Sequence, residues 1–267
     1  MKIGFIGCGN MGSAMIGGIL RQGIFSKDEI IVSNLTDEGR ARSEKTLGVV
    51  TTLDNNEIVR SAKTVVLAVK PQFYEEVLTE VHDSLTTEHT IIGIAPGKTL
   101  AWLEEKAGLP LKVVRFMPNT PAQVGAGMTA VCTNDRVSED ELAEILKITD
   151  SFGCTEVVPE RLMDAAGAVG GCSPAYVFMM IEAMADAAVI GGMPRSQAYT
   201  FAAQAVLGSA KMVLETGKHP GELKDMVCSP AGTTIDAVAI LEKDGFRNSI
   251  IDAMVGCMNK SKELGKK

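Results

Sequence analysis

The sequence contains few aromatic and few metal-binding side chains. One Trp, three Tyr, eight Phe and three His occur among its 267 residues. The six cysteines lie far apart and form no Cys-x-x-Cys pair. The sequence therefore predicts no metal site and no disulfide framework. Such cysteine usage is typical of a reducing compartment, so we expect a cytoplasmic protein.

Positive charge is also scarce. Asp and Glu number 33 against 26 Lys and Arg, which gives a net charge of −7. Lys and Arg form no run before residues 260–267. Because phosphate contacts need a basic surface, this composition argues against nucleic acid as a partner. We expect the basic tail itself to be frayed and solvated.

No apolar run is both long and unbroken. The uncharged N-terminal stretch superficially resembles a secretion signal, but six glycines between Gly4 and Gly18 interrupt it. A second uncharged stretch, between Asp164 and Glu182, is interrupted by Gly170, Gly171 and Pro174. It is too short and too broken to cross a bilayer. We expect neither a secretion signal nor a membrane span.

The length and the order of segments indicate two domains. Up to Pro159, β-branched runs alternate with helical segments, which is typical of a parallel sheet with crossover helices. Beyond Pro159 the strand signal stops. We therefore predict an α/β Rossmann-type domain over residues 1–159 and an all-α domain over residues 160–267. The predicted strands span residues 2–6, 30–33, 64–69, 90–95, 111–117, 129–132 and 156–158.

Three helices have readable starts. Ser138 and Glu141 have the spacing of a reciprocal cap. Proline in the first turn predicts a helix from Ser173-Pro174 towards Ile190 and another from Pro194 to about Thr216. The first of these is apolar on nearly every side and must be covered. A core position within one chain and an interface with a second subunit both remain open.

A glycine-rich turn follows the first predicted strand. Gly7-x-Gly9-x-x-Gly12 lies between that strand and a helix, which is the context of a dinucleotide-binding turn. Gly7 permits the tight turn, Gly9 lets a pyrophosphate approach the backbone, and Gly12 lets the helix pack on the strand. The alternative is a glycine-rich turn without a ligand, which this context disfavours.

The end of the second predicted strand indicates which cofactor binds. NAD sites commonly place Asp or Glu there to bind the ribose hydroxyls, whereas this chain has Ser33-Asn34-Leu35-Thr36. Hydroxyl and amide donors without a carboxylate favour a 2′-phosphate. We therefore expect NADPH, with NADH as an alternative donor.

Three further segments are candidates for ligand contact. Ala68-Val69-Lys70-Pro71 and the loop of residues 117–121 end strands at the edge where α/β sheets place ligands. The small-residue loop of residues 229–234 precedes a helix and could hold an anion, although an ordinary capped helix fits its composition better. His219 has no acid or base at motif spacing, and we expect it to be structural.

Taken together, these motifs resemble the pyrroline-5-carboxylate reductase family, the enzymes of the last step of proline biosynthesis. The resemblance covers nearly the full chain, and Ala231 stands where the family usually has glycine. The segments that carry it are FIGCGNMGSAM, AVKPQ, MPNTPAQVGAG, GGCSPAYVFMMIEAMADAAVIGGMPR and CSPAGTTIDAVAILEKDGFR.

The resemblance implies a function and a site. It implies hydride transfer from NADPH to the C=N bond of 1-pyrroline-5-carboxylate, giving L-proline. Thr234 would hydrogen-bond the ring nitrogen as the catalytic residue. Other substrate contacts would come from Ser229, Gly232, Thr233 and Asn119. The implied cofactor-binding residues are Ile6, Gly7, Cys8, Gly9, Asn10, Met11, Gly12, Ser33, Asn34, Asn55, Ala68, Val69, Lys70, Pro71 and Ala95.

The resemblance also bears on assembly and on the alternatives. It implies homodimers interlocked through residues 160–267, which can assemble into a decamer. A 3-hydroxyacid dehydrogenase of similar plan would carry a Lys in the first long helix of the second domain, but residues 173–193 contain none. A non-catalytic NADP-binding regulator is the other alternative, and the retained segment around Thr234 disfavours it.

Overall fold

The computed structural model describes residues 2–265, which form two compact units. One unit runs through Cys172 and also includes the chain from Cys257 onward. The other unit is Ser173–Gly256.

The first unit is built on an eight-stranded sheet. Its strands are β1 (Ile3–Ile6), β2 (Ile30–Ser33), β3 (Val50–Thr52), β4 (Thr64–Leu67), β5 (Thr90–Gly93), β6 (Lys112–Met117), β7 (Gly127–Thr133) and β8 (Gly153–Val157). Its helices are α1 (Asn10–Arg21), α2 (Asp37–Leu47), α3 (Asn55–Ser61), α4 (Tyr74–Val81), α5 (Leu100–Ala107), α6 (Glu139–Asp150) and α7 (Met163–Ala166). A π-helical segment, Gly167–Cys172, follows α7 directly.

The strand order is that of a dinucleotide-binding sheet. The strands lie in the order β3-β2-β1-β4-β5-β6-β7-β8, and β1 to β6 run parallel. The order reverses between β1 and β4, where Ile6 pairs with Leu67. Ligands of such sheets bind beyond the carboxyl ends of the strands at this switch point. The predicted α/β Rossmann-type fold is confirmed.

Two details of the sheet differ from the sequence prediction. β7 runs antiparallel to β6 because the connection of residues 118–126 holds only a short 3₁₀ turn, whereas a parallel return needs a longer crossover. The sequence prediction also missed β3. That strand lies at the edge of the sheet, and although its residues are all β-branched, a run of three is too short to stand out in the sequence.

The strands between the two edges, β1, β2 and β4 to β7, are mostly buried on both faces, since helices cover each side of the sheet. Successive residues of β1 point to opposite faces. Phe5 belongs to the core cluster that includes Met15 of α1. Ile6 belongs to the cluster that includes Ile58 of α3. The predicted cap of α6 is present, because Ser138 and Glu141 bond each other's backbone amides reciprocally.

The compact units divide after Cys172 rather than at the predicted boundary of 159/160. Met163 of α7 and Ala168 of the π-helical segment are buried in the first unit. Arg115 of β6 donates to Glu160 Oε1 at 2.7 Å. This bond fixes the chain beside the sheet just before α7 begins. The predicted domain ends at Met1 and at residues 266–267 lie outside the described residues.

The second unit is helical throughout, as predicted. It contains α8 (Ser173–Ile190), α9 (Arg195–Thr216), α10 (Pro220–Val227), α11 (Thr233–Lys243) and the first half of α12 (Phe246–Gly265). α8 is not a core helix of one chain, since Phe178 is 61% and Met179 67% exposed. The helical stretch Glu160–Ile190 is long and apolar enough to cross a membrane by length and composition alone. A helix that packs against a second subunit has the same composition.

Candidate functional site

The glycine-rich turn after β1 packs directly against the end of β4. Gly7 has φ of +93°, and its amide donates to Ser33 O at 3.1 Å. A Cβ on Gly7 would lie 2.8 Å from Val69 Cγ1 and 3.0 Å from the Ala68 carbonyl oxygen. Any side chain would therefore separate the two strand ends, and the positive φ independently favours glycine.

The other two glycines of the turn leave room for different partners. A Cβ on Gly12 would lie 3.1 Å from Gly7 O, so Gly12 allows α1 to pack against the turn. No atom lies within 4 Å of a Cβ on Gly9. Gly9 is the N-cap of α1, and no side chain caps this end of the helix. Its first amides are therefore available to a negatively charged group.

Polar side chains cluster at the end of β2. Ser33 Oγ donates to Asn55 Oδ1 at 2.6 Å, and Asn55 Nδ2 donates to Glu80 Oε2 at 2.7 Å. Asn34 Oδ1 accepts from Ser43 Oγ at 3.1 Å. Within the described part of the chain, the buried Nδ2 of Asn34 has no hydrogen-bond partner. A donor in this state fits an acceptor-rich ligand group.

A cavity of 570 Å³ lies beside the turn and within the first unit. Most of the residues expected to bind a cofactor line it or lie directly at the turn. Those on its wall are Gly9, Asn10, Met11, Ala68, Val69, Lys70, Pro71 and Ala95. Ile6 ends β1, Gly7 and Cys8 follow it in the turn, and Gly12 lies in the first turn of α1.

A buried tyrosine fixes two of the loops that form the cavity. Tyr74 is fully buried. Its hydroxyl donates to Leu67 O at 2.5 Å and accepts from the Ile94 amide at 2.9 Å. Burial raises the pKa of Tyr74 well above its ordinary value, so the phenol stays a donor. The sequence prediction missed this residue because its partners are distant backbone groups.

One wall of the cavity comes from segments that the sequence prediction did not include. The π-helical segment contributes Gly167, Ala168, Gly171 and Cys172, and Asp164 of α7 lies beside them. α12 contributes Cys257, Lys260, Ser261 and Leu264. The spacing of these last four places them on one face of the helix.

α12 is held in this position by two contacts. Ser261 Oγ donates to Asp164 Oδ1 at 2.5 Å. The loop after β5 approaches the end of the helix so closely that a Cβ on Gly97 would lie 2.9 Å from the Gly265 amide nitrogen. The expectation of a frayed tail is therefore wrong up to Gly265, and residues 266–267 lie outside the described part. The i, i+3, i+4, i+7 spacing of the four α12 residues that line the cavity is the sequence signal by which this wall could have been predicted.

Asn119 uses both ends of its side-chain amide within the protein. Its Nδ2 donates to Gly170 O at 2.9 Å, and its Oδ1 accepts from the Met128 amide at 2.9 Å. The side chain is 8% exposed. This geometry holds the π-helical segment against β7. The substrate contact implied by the family resemblance stays a prediction.

The loop before α11 forms a tight local turn in the second unit. The Gly232 amide donates to Ser229 O at 3.1 Å, and a Cβ on Gly232 would lie 2.3 Å from Ser229 Oγ. Ala231 has φ of +55°, a conformation that favours the glycine usual in the family. Gly232 is the N-cap of α11 and offers no side-chain cap. Thr233 and Thr234 form the first turn, and their substrate roles stay predictions.

His219 has a structural role, as expected. Its ring Nδ1 accepts from the Gly221 amide at 3.0 Å, and it is the N-cap residue of α10. Among the described residues, no group of three or more His, Cys, Asp and Glu side chains could hold a metal ion.

Two family models match the chain. The model described as "Pyrroline-5-carboxylate reductase dimerisation" matches residues 160–264. The model described as "NADP oxidoreductase coenzyme F420-dependent" matches residues 2–97, which contain the glycine-rich turn.

Individual relatives and solved structures match over the full length. The chain is 51% identical to pyrroline-5-carboxylate reductase of Escherichia coli, covering 99% of this chain and 98% of the relative. It is 44% identical to that of Methanosarcina acetivorans, covering 100% and 98%. The structure of pyrroline carboxylate reductase from Plasmodium falciparum with NADP bound matches with a TM-score of 0.91 at 33% identity, covering 99% and 98%. That of pyrroline-5-carboxylate reductase from Coxiella burnetii matches with a TM-score of 0.92 at 35% identity, covering 100% and 99%. The chain belongs to the pyrroline-5-carboxylate reductase family.

Proposed function

We propose that this protein reduces 1-pyrroline-5-carboxylate to L-proline with NADPH as the hydride donor. The observation that carries the proposal is the 51% identity over 99% of the chain to a relative of that name. The cavity at the switch point of the sheet supplies the matching physical site.

The residues at the switch point fit a dinucleotide. The open space at Gly9 and the uncapped start of α1 suit a pyrophosphate. The partnerless Nδ2 of Asn34 suits a 2′-phosphate, and residues 33–36 themselves carry no carboxylate to repel it. Val69, Lys70, Pro71 and Ala95 would surround the nicotinamide half. We therefore propose NADPH as the preferred donor, with NADH used less well.

The protein's part in the reaction is positioning. When bound, the reduced nicotinamide supplies the hydride that converts the C=N bond to the secondary amine of proline. The first amides of α11, around Gly232 and Thr233, would bind the substrate carboxylate. The Thr234 hydroxyl would hydrogen-bond the ring nitrogen and orient the C=N carbon. Because an imine nitrogen can be protonated before or during binding, a dedicated acid side chain is not needed.

The C-terminal part of the chain would also carry self-association. We propose that residues 160–267 form the dimerisation and substrate domain, and that the exposed apolar side chains of α8 are covered by a second copy of the chain. Assembly of these dimers into a decamer and a cytoplasmic location are proposed from the family resemblance. No nucleic acid or membrane partner is proposed.

A spectrophotometric assay tests the function. NADPH absorbance is expected to fall when 1-pyrroline-5-carboxylate is added, and more slowly when NADH replaces NADPH. Size-exclusion chromatography with light scattering reports the assembly in the same sample. A protein that binds NADPH but oxidises it with no cyclic imine would be the non-catalytic regulator instead.

Thr234 offers a sharper test of the mechanism. Thr234→Ala should lower kcat by about 10- to 100-fold, because it removes a hydrogen bond to the reacting centre. NADPH affinity should not change. Thr234→Ser keeps the hydroxyl and should retain most of the activity. Equal turnover by the Ala and Ser variants would show that the hydroxyl has no role.

A further inference from the structure

Two cysteines meet at the wall of the cofactor cavity. Cys172 ends the π-helical segment, and Cys257 lies on α12. Both line the cavity, and the Cys172 thiol is hydrogen-bonded to Cys257. No disulfide joins any of the six cysteines in the structure. The fold therefore brings together two sulfur atoms from segments that are far apart in the sequence.

The other four cysteines do not share this arrangement. Cys8 and Cys132 are buried in the core of the first unit. Cys154 is exposed on β8, and Cys228 follows α10. None of these four lines the cavity. Cys154 is therefore a suitable reference for the reactivity of an ordinary surface thiol.

We propose that Cys172 and Cys257 form a reversible intramolecular disulfide with a hydroperoxide as oxidant, which links α12 covalently to the π-helical segment beside the cofactor. The formation of this bond depends only on the two thiols. Its effect on catalysis rests on the proposed function, because that effect requires the cavity to hold the cofactor.

The reaction proceeds in two balanced steps. One thiolate attacks an oxygen of hydrogen peroxide, which breaks the O–O bond and leaves a sulfenic acid, with the second oxygen released as water. The second thiolate attacks the sulfenic sulfur, the S–S bond forms, and hydroxide leaves and takes up a proton. Each sulfur loses one electron, and the peroxide gains two. Overall, two thiols and one peroxide give one disulfide and two waters.

The rate should depend on pH and on the cofactor. Burial and the hydrogen bond to Cys257 raise the pKa of the Cys172 thiol, so oxidation accelerates as the pH rises above neutrality. A ligand that fills the cavity shields both sulfurs. At a concentration ten times its Kd, NADP⁺ leaves about one site in eleven empty, so it should slow disulfide formation by about tenfold.

Peptide mapping of the full-length protein tests the proposal. The protein is treated with hydrogen peroxide, alkylated, digested without reduction and analysed by mass spectrometry. The expected product is one peptide pair joined between Cys172 and Cys257, with a mass lower by two hydrogens, which dithiothreitol converts back to the thiols. Cys172→Ser and Cys257→Ser should each abolish this product, whereas Cys154→Ser should leave it unchanged.

The outcomes separate this proposal from the proposed function. Absence of the linked pair in wild type, or a linkage found only between subunits on a non-reducing gel, would overturn the disulfide. Formation of the pair at the same rate with and without NADP⁺ would keep the disulfide and contradict the placement of the cofactor. The bond would be linked to catalysis if oxidation lowers activity and dithiothreitol restores it in wild type and in Cys154→Ser, but not in Cys172→Ser or Cys257→Ser.

Discussion

The side-chain Nδ2 of Asn119 donates to the carbonyl oxygen of Gly170 at 2.9 Å, and this bond fixes the π-helical segment that forms one wall of the cavity. π-helical turns interrupt the regular backbone ladder and occur frequently at functional sites. Here the carbonyl of such a turn is held by a side chain that itself is anchored to β7 through the Met128 amide. The Asn119 side chain thus anchors the π-helical part of the cavity wall to the sheet.

Replacement of Asn119 should test this anchor. Asn119→Asp keeps an acceptor for the Met128 amide but places a carboxylate oxygen against the Gly170 carbonyl. The free energy of unfolding should fall by about 2 kcal/mol, because the Gly170 carbonyl loses its hydrogen-bond donor and a charged carboxylate is buried beside it. Urea unfolding at fixed protein concentration measures the change. Asn119→Ala leaves both backbone groups unpaired without adding a charge and should be less harmful. Wild-type stability of Asn119→Asp would refute the anchor.

Gly9 should matter for the cofactor and not for the fold. Its φ of −77° suits any residue, and a Cβ there meets no protein atom within 4 Å. Gly9→Ala should therefore leave the Tm of the ligand-free protein unchanged. It should raise the Kd for NADPH by at least about tenfold, a loss of about 1.4 kcal/mol, because the methyl group occupies the path of the pyrophosphate. Gly208→Ala is the control for NADPH affinity, because a Cβ at this position of α9 also meets no atom within 4 Å. Unchanged affinity in Gly9→Ala would place the pyrophosphate elsewhere.

Replacement of Ala231 by glycine should stabilise the protein. Its left-handed backbone conformation costs an L-residue about 1–2 kcal/mol, whereas glycine adopts it readily. Ala231→Gly should raise the free energy of unfolding by about 1 kcal/mol, net of the greater flexibility of glycine in the unfolded chain. Ala237→Gly, at an exposed position inside α11, should lower it by about the same amount. Differential scanning calorimetry of both variants checks the opposite signs.

Ionisation of the Cys132 thiol should make the free energy of unfolding depend on pH in the alkaline range. Burial raises the pKa of the Cys132 thiol to about 11. In the unfolded chain the thiol ionises near its ordinary pKa of 9.0. Between these two values the folded state holds one proton more, so the free energy of unfolding falls as the pH rises. Cys132→Ala should lack this contribution. Urea unfolding between pH 8 and about pH 10 should show wild type losing stability faster than the variant; parallel slopes would contradict the shift.

The dinucleotide turn could be predicted because its requirements are local. Gly7, Gly9 and Gly12 each meet a need of the backbone within a few residues, so their spacing carries the information. The strands that are buried on both faces were predictable for the same reason. Their runs of β-branched residues directly indicate buried strands.

The rest of the site depends on contacts between distant segments. The apolar spacing of Cys257 and Leu264 indicates a helix face but not what that face covers. The bond of Asn119 to Gly170 and the bonds of Tyr74 to two strand ends join residues that no local pattern relates. The antiparallel turn to β7 follows from a short connection, which the composition of the strand does not record.

The first unit is discontinuous in the sequence, since Ser173–Gly256 separates its sheet from the part of α12 that lines the cavity. During synthesis, the ribosome makes the entire sheet and the helical unit before residues 257–264 emerge. The nascent sheet can therefore fold with its glycine-rich turn in place while one side of the cavity is still missing. Any dinucleotide binding that needs this wall of the cavity is therefore expected only after residues 257–264 have been synthesised.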